Sequence, residues 1–158
     1  MLDALKLLER LHAGGVRFVI VGGVAMVLRG SGRVTVDLDV CYARDRSNLE
    51  KLAEAFAPLH PRLRGAPADL PFLWDARTLA SGLNFTLTTD VGDVDILGEI
   101  TGLGGFDEAL ASSSELDIAG TPTRVLTLDG LERTKRASGR AKDLLDLAEI
   151  GEIRKRGG

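Results

Sequence analysis

The strongest constraint on the fold is an apolar run, Phe18–Val21, that ends at two adjacent glycines, Gly22 and Gly23. A short, wholly apolar and mostly β-branched run is typical of a strand buried on both faces. The glycine pair turns the chain into residues 24–28, an apolar segment without alternation that predicts a short helix ending at Gly30. A strand covered on both faces favours an α/β fold with helices packed against a sheet.

Residues 34–40 alternate strictly between apolar and polar side chains, with Thr35, Asp37 and Asp39 on the polar face. A period of two over this length predicts a strand. Carboxylates two residues apart on a strand project from the same face, about 7 Å from each other. The sequence therefore predicts a strand with one acidic face shortly after the glycine turn.

A later hairpin is predicted to carry a third acidic position. Its arms are residues 84–89 and 93–97, which a short glycine-containing turn joins. Asp93 and Asp95 share one face of the second arm, and either could be the third acid or a plain hairpin residue. Asp95 is preferred because flanking apolar residues place it deeper in the strand.

The other predicted elements surround this sheet. The proline-rich residues 58–71 are interpreted as an irregular surface segment, an insertion or a flexible flap. The remaining predictions are a helix over 2–13, a helix opened by a capping box at Ser47–Glu50, a short helix over 107–113 and a hairpin of 116–119 with 123–127. A last helix is predicted from Leu131 to about Arg156, preceded by an N-cap signal at Asp129 and interrupted near Ser138 and Gly139.

Length and composition limit the function classes. At 158 residues the chain is predicted to form one domain over 1–158, with a core at about 15–100 and a helical C-terminal part at about 128–156. Aromatic residues make up only 4%, which disfavours rows of stacking platforms for single-stranded nucleic acid. A formal charge of -3 gives no global basic field toward nucleic acid or an anionic membrane.

Two further features bear on location. The longest apolar run, residues 18–28, falls short of the roughly 18 residues that a membrane span needs, so no membrane association is expected. A single cysteine, Cys41, allows no internal disulfide and fits a reducing compartment. A cytoplasmic location is therefore predicted.

The glycine turn and the acids together suggest one kind of chemistry. Free backbone amides at a helix N-terminus, with no side chain in the way, suit the anionic phosphates of a triphosphate. Two Mg²⁺ ions about 3.5 to 4 Å apart can share the carboxylates of Asp37 and Asp39, and a third carboxylate completes such a site. This arrangement would clamp the attacking oxygen and the leaving pyrophosphate of an in-line displacement.

These motifs resemble the nucleotidyltransferase superfamily that includes polymerase beta, whose signature is a hydrophobic-Gly-Gly/Ser turn followed by an Asp-hydrophobic-Asp/Glu strand. More narrowly, the chain is similar to the minimal nucleotidyltransferases of the AbiEii toxin group over roughly residues 15–150. In that group a later Gly-x-hydrophobic-Asp-hydrophobic-Leu strand supplies the third acid, and Asp95 stands in its place. The group's C-terminal helix motif can be laid on Lys135, Arg140, Lys142, Asp143 and Asp146, although the Lys-to-Arg interval is short and a glycine intervenes.

The resemblance implies an α/β (α+β) nucleotidyltransferase domain with a small mixed sheet flanked by helices. It implies two divalent ions, Mg²⁺ or else Mn²⁺, held by Asp37, Asp39 and Asp95. It also implies an NTP substrate, with ATP as one candidate. The acceptor would be a hydroxyl of RNA, protein or a small molecule, and an antitoxin or a second copy of the chain is a candidate partner. Nucleotide contacts are expected from these residues: Gly22, Gly23, Arg33, Thr35, Lys135 and Lys142.

Other interpretations stay open. A module of the same fold could bind nucleotide without catalysis, and nothing in the sequence separates it from an active enzyme. Lys135 and Lys142 could equally be solvated helix charges. A dinucleotide-binding redox domain is suggested only by the order strand, glycine turn, helix and acid, and the Gly-x-Gly-x-x-Gly spacing is absent.

Overall fold

The computed structural model describes residues 1–67 and 69–157, so Ala68, within the predicted irregular segment, and Gly158 lie outside the described residues. Seven strands within these ranges form one mixed sheet in the order β3-β4-β5-β2-β1-β7-β6. Strands β1 and β7 are parallel, as are β2 and β5, and the other neighbours are antiparallel. The strands are β1 Phe18–Val21, β2 Asp37–Tyr42, β3 Arg62–Leu63, β4 Asn84–Thr89, β5 Gly92–Leu97, β6 Ser113–Ile118 and β7 Thr121–Leu126.

Helices pack against this sheet and against each other, which confirms the predicted α/β class. All four residues of β1 are buried, as the apolar run predicts for a strand covered on both faces. Helix α2 packs on β1 and β2, α5 packs on β1, β2, β6 and β7, and α6 packs on α7. The helices are α1 Ala4–Ala13, α2 Gly22–Leu28, α3 Arg46–Phe56, α4 Ala76–Ser81, α5 Phe106–Ala111, α6 Leu128–Ser138 and α7 Ala141–Lys155.

Strand β2 is shorter at its start than the alternation predicts. It begins at Asp37, and the side chains of Val34 and Val36 are exposed, at 94% and 75%. The ladder cannot extend further back on the β1 side, because the pairing ends at Val21 opposite Asp39, where β1 turns into α2. The alternation therefore continues in the sequence beyond the point where neighbouring backbone can pair with it.

Two helix starts were misplaced by the sequence signals. Helix α3 begins at Arg46, because the Asp45 carboxylate accepts a hydrogen bond from the amide of Asn48; the Ser47 capping box was the wrong cap. Helix α6 begins at Leu128, with the Thr127 hydroxyl as its cap instead of Asp129. In both places another capping side chain lies two residues earlier.

The C-terminal break and both hairpins are confirmed. Helix α6 ends at Ser138, and the capping residue that follows is Gly139, whose φ of +64° is the left-handed conformation that glycine adopts without strain. The second hairpin pairs β6 with β7, and the first pairs β4 with β5.

The proline-rich segment is more ordered than predicted. It contains a 3-10 turn, Ala57–Leu59, and the two-residue strand β3, which pairs with the edge of β4. Helix α4, which follows the segment, was not predicted. Among the described residues no helix has the length and apolar character needed to cross a membrane.

Candidate active site

The acidic residues are brought together by the register of two parallel strands. Asp37 of β2 lies opposite Asp93 of β5, and Asp39 lies opposite Asp95. The residues between them, such as Leu38 and the other apolar members of both strands, point into the core. Carboxylate oxygens of Asp37, Asp39 and Asp95 lie within 4.8 Å of one another, which is the set that the sequence preferred.

The glycine pair allows the turn after β1 to lie directly against these acids. A side chain at Gly22, whose φ is +62°, would overlap the Asp39 carboxylate. A Cβ at Gly23 would lie 2.7 Å from the Thr35 hydroxyl, which itself donates to the Asp37 carbonyl at 3.0 Å. Glycine is therefore required here by close approach within the protein, in addition to any approach by a ligand.

Asp39 lies in the most unfavourable environment for a negative charge. Burial, together with the neighbouring charges of Asp37 and Asp95, raises the pKa of Asp39 to about 7, although Lys135 and Lys142 act in the opposite direction. Its Oδ1 atom is buried and has no hydrogen-bond partner within the part of the chain that the structure describes. A buried acceptor without a donor is costly, and a cation would relieve that cost.

Arg64 is a site residue that the sequence analysis missed. Its guanidinium donates to the Asp95 carboxylate at 2.7 Å, lies 3.2 Å from Asp93 and approaches Asp37 at 3.8 Å. Burial raises the pKa of Asp95, and the hydrogen bond from Arg64 opposes that shift. The only local signal was an alternation of arginine with leucine around Leu63, inside a segment interpreted as irregular.

Lys135 is held at the site by two carboxylates of α7. Its ammonium lies 2.9 Å from Asp146 and 3.7 Å from Asp143, and these acids are 3% and 0% exposed. Arg140 donates to Asp143 at 2.8 Å, and chiefly this hydrogen bond lowers the pKa of Asp143 to about 2. Sequence reasoning placed these residues on a helix motif but could not show that the acids are buried.

Arg33 connects the segment before β2 to the same helix. Its guanidinium is ion-paired with Asp146 and lies 2.7 Å from Glu149, and the hydrogen bond to Glu149 raises the pKa of Arg33. The Ser31 hydroxyl lies 3.0 Å from the same Glu149 carboxylate. Arg33 therefore lies at the site with its positive charge balanced by ion pairs to two acids of α7.

All the site residues that the sequence singled out line one cavity of about 380 Å³, within the size range of ligand pockets. Lys142 makes no ion pair with any described residue, so its charge is available within this cavity. The exposed Val34 and Val36 form part of the wall. The lining includes Gly22, Gly23, Arg33, Thr35, Asp37, Asp39, Asp95, Lys135 and Lys142.

The cluster fits divalent metal ions. Mg²⁺ and Mn²⁺ prefer carboxylate oxygens, and three carboxylates here converge within 4.8 Å. The buried Asp39 oxygen without a partner and the absence of a side chain at Gly22 agree with that use. Asp37, Asp39 and Asp95 are the residues that would hold the ions.

Comparison with known proteins gives matches in structure alone. No family model matches the sequence, and no curated protein matches it. The fold is similar to the lincosamide antibiotic adenylyltransferase LnuA in its lincomycin-bound form, with a TM-score of 0.62, 16% identity, and coverage of 96% of this chain and 98% of that one. It is also similar to ANT(2″)-Ia in complex with adenylyl-2″-tobramycin, with a TM-score of 0.52, 17% identity, and coverage of 98% and 96%.

A third similar structure is the Thermotoga maritima protein TM1012, described as a putative nucleotidyltransferase, with a TM-score of 0.54, 16% identity, and coverage of 96% of this chain and 88% of that one. The narrower likeness to the AbiEii group stays a prediction. The dinucleotide-binding alternative is not supported, because β1 and β2 pair antiparallel and do not form a parallel crossover unit. The chain therefore has the nucleotidyltransferase fold over nearly its whole length.

Proposed function

We propose that this protein transfers a nucleoside monophosphate from an NTP to a hydroxyl group of a small-molecule acceptor. The convergence of Asp37, Asp39 and Asp95 beside the glycine turn carries this proposal. In the reaction the acceptor oxygen forms a bond to the α-phosphorus, the bond between the α-phosphorus and the oxygen that bridges to the β-phosphate breaks, pyrophosphate leaves with that oxygen, and the hydroxyl proton is released to water. Divalent ions at the three carboxylates would neutralise phosphate charge and lower the pKa of the acceptor hydroxyl.

The protein's own residues neutralise the phosphate charge, let the phosphates approach the backbone and support the cavity wall. Lys142, which lacks an ion-pair partner among the described residues, neutralises the triphosphate, and Lys135 adds a fixed positive charge held by Asp146. Gly22 and Gly23 let the phosphates approach the backbone at the start of α2. Arg33 and Thr35 hold the wall of the cavity in place through Glu149 and the backbone of β2.

A small-molecule acceptor is favoured over RNA for two reasons. The net charge of -3 gives no global basic field to attract a phosphate backbone. Two of the similar structures contain lincomycin and adenylyl-2″-tobramycin, and this chain spans nearly their whole length. A role in a toxin-antitoxin pair, with an antitoxin partner, rests on the AbiEii resemblance alone.

The direct test is label transfer from α-labelled NTPs in Mg²⁺ or Mn²⁺. The acceptor mixtures are lincomycin with tobramycin, total RNA, and total protein, each with wild type, Asp95→Asn and Asp93→Asn. Asp93→Asn is the comparison variant: Asp93 lies two residues away on the same face of β5 and contacts Arg64, but it lies outside the converging set, so its loss should reduce transfer far less than the loss of Asp95. Transfer to a small molecule that needs Asp95 supports the proposal, whereas transfer to RNA or protein alone would replace its acceptor class.

Absence of any Asp95-dependent transfer would contradict the enzymatic proposal. NTP binding in calorimetry without turnover would then favour a nucleotide-binding module of the same fold.

A further inference from the structure

Arg64 makes the only ion pairs with the acids of β2 and β5 among the described residues. Its side chain is 27% exposed, and it contacts Asp95, Asp93 and Asp37 at 2.7, 3.2 and 3.8 Å. The guanidinium does not pair with Asp39, whose buried Oδ1 atom stays without a partner. One cation therefore offsets part of the charge of a cluster that holds four carboxylates.

Arg64 places a positive charge beside any divalent ion that binds the same carboxylates. A divalent ion binds carboxylate oxygens at about 2.0 to 2.6 Å. The Asp95 Oδ1 atom accepts a hydrogen bond from Arg64 at 2.7 Å, so a divalent ion on the same carboxylate would lie close to the guanidinium and the two cations would repel each other. We infer that Arg64 is an internal counter-ion of the acidic cluster, and that a divalent cation competes with its guanidinium for these carboxylates and, on binding, displaces it from Asp95.

The local structure allows this displacement without disturbing the core. Arg64 directly follows β3, which is two residues long and lies at the edge of the sheet. Its backbone amide donates to the Thr86 carbonyl at 3.0 Å, and its guanidinium also donates to the Leu87 carbonyl at 2.7 Å. The next residue, Gly65, is exposed with a φ of +78° and can change conformation at little cost.

The consequence is that Arg64 lowers the affinity of the site for metal ions. Without metal, Arg64 reduces the repulsion between Asp37, Asp93 and Asp95 and stabilises the fold. With metal, the ion takes over that role and the contacts of Arg64 are lost. Metal binding is therefore weaker than the three carboxylates alone would give, by the free energy needed to break these ion pairs.

The experiment is a calorimetric titration of the full chain with Mn²⁺, and separately with Mg²⁺, in the absence of NTP. Arg64→Gln removes the charge and keeps a polar side chain of similar reach, so we expect it to bind metal at least about fivefold more tightly than wild type. Arg62→Gln is the matched control, because Arg62 lies two residues away and contacts Asp90 and the His60 carbonyl instead of the cluster. Its affinity should equal that of wild type.

Thermal unfolding gives a second readout. Arg64→Gln should melt lower than wild type without metal and show a larger rise in Tm on metal addition. Arg64→Lys, which keeps the charge, should behave nearly as wild type. Equal or weaker metal binding by Arg64→Gln, with metal still bound by wild type, would overturn the counter-ion role and leave the proposed function standing.

The inference rests on the proposed function for its metal site, but the two can fail separately. Tighter metal binding by Arg64→Gln with no nucleotide transfer to any acceptor would support the counter-ion and contradict the proposed enzyme. No metal binding by wild type or by any variant would overturn the counter-ion role, and the label-transfer experiment would then decide the proposed function by itself.

Discussion

Two ionic clusters flank the same cavity, and they differ in charge balance. On β2 and β5, four carboxylates face a single guanidinium, that of Arg64. Between the segment before β2 and the helices α6 and α7, three carboxylates face three cations: Asp143, Asp146 and Glu149 with Arg33, Lys135 and Arg140. The unbalanced cluster needs a cation from outside, whereas the balanced one is satisfied within the protein and serves to position Lys135.

The largest expected effect tests the unbalanced cluster. Asp39→Asn should lower the rate of nucleotide transfer by roughly 1,000-fold, because a charged ligand at the reacting phosphate is lost. The same change should raise the Tm of the metal-free protein, since it removes the carboxylate that is most unfavourably buried. Label transfer and thermal unfolding measure the two effects. A fall in both activity and metal-free Tm would contradict the claim of charge excess.

The same chemical change in the balanced cluster should act in the opposite direction on stability. Asp146→Asn leaves Lys135 and Arg33 without their shared carboxylate in a nearly buried position. We expect the free energy of unfolding, measured in urea, to fall by about 3 kcal/mol. An unchanged or higher stability would show that this cluster, too, carries unfavourable charge.

A smaller effect is expected at the contact between the glycine turn and the acidic cluster. Gly22→Ala places a methyl group against the Asp39 carboxylate and requires a left-handed conformation, so unfolding should become easier by about 2 kcal/mol. Gly151→Ala is the control, because its added methyl meets nothing within 4 Å inside α7. That variant should gain up to about 1 kcal/mol. Urea denaturation of both proteins makes the comparison, and equal effects would contradict it.

The smallest effect concerns acid stability. The folded-state pKa of Asp143, about 2, lies below its ordinary value of 3.8, so its contribution to stability is complete above pH 4 and is lost as the pH falls toward 2. The free energy of unfolding of Asp143→Asn should therefore decline less steeply than that of wild type between pH 4 and pH 2. Urea titrations at several pH values measure the slopes. Parallel slopes would mean that Asp143 has an ordinary pKa in the folded protein.

The sequence predicted the acidic cluster better than the balanced one for a physical reason. Asp37 and Asp39 lie on an alternating strand next to a glycine turn, so their shared face follows from local periodicity. Their pairing with Asp95 needed only one more alternating strand and the family resemblance. The start of β2 was misplaced, because alternation at Val34 and Val36 carries no information about whether a neighbouring strand is present.

The contacts that the sequence could not predict all join distant parts of the chain. Arg64 reaches Asp95 from 31 positions away, and Arg33 reaches Asp146 from 113 positions away. The residues around each arginine do not indicate which distant acid it pairs with. The charged residues of α7 are spaced as on a helix exposed to solvent, so the sequence does not indicate that Asp143 and Asp146 are buried. Their burial results from the packing of α6 and of the segment before β2 against them.

The alignment of Asp37 with Asp93 and of Asp39 with Asp95 has a consequence for how the chain reaches its native state. A slip of one residue in either strand would turn its two aspartates into the apolar core and its core residues toward the cavity. Burying unpaired carboxylates is far more costly than losing a backbone hydrogen bond. The acids that suit the site to metal ions thus also favour the native strand register during folding. A shifted register that buries them is destabilised more than one that buries neutral polar residues.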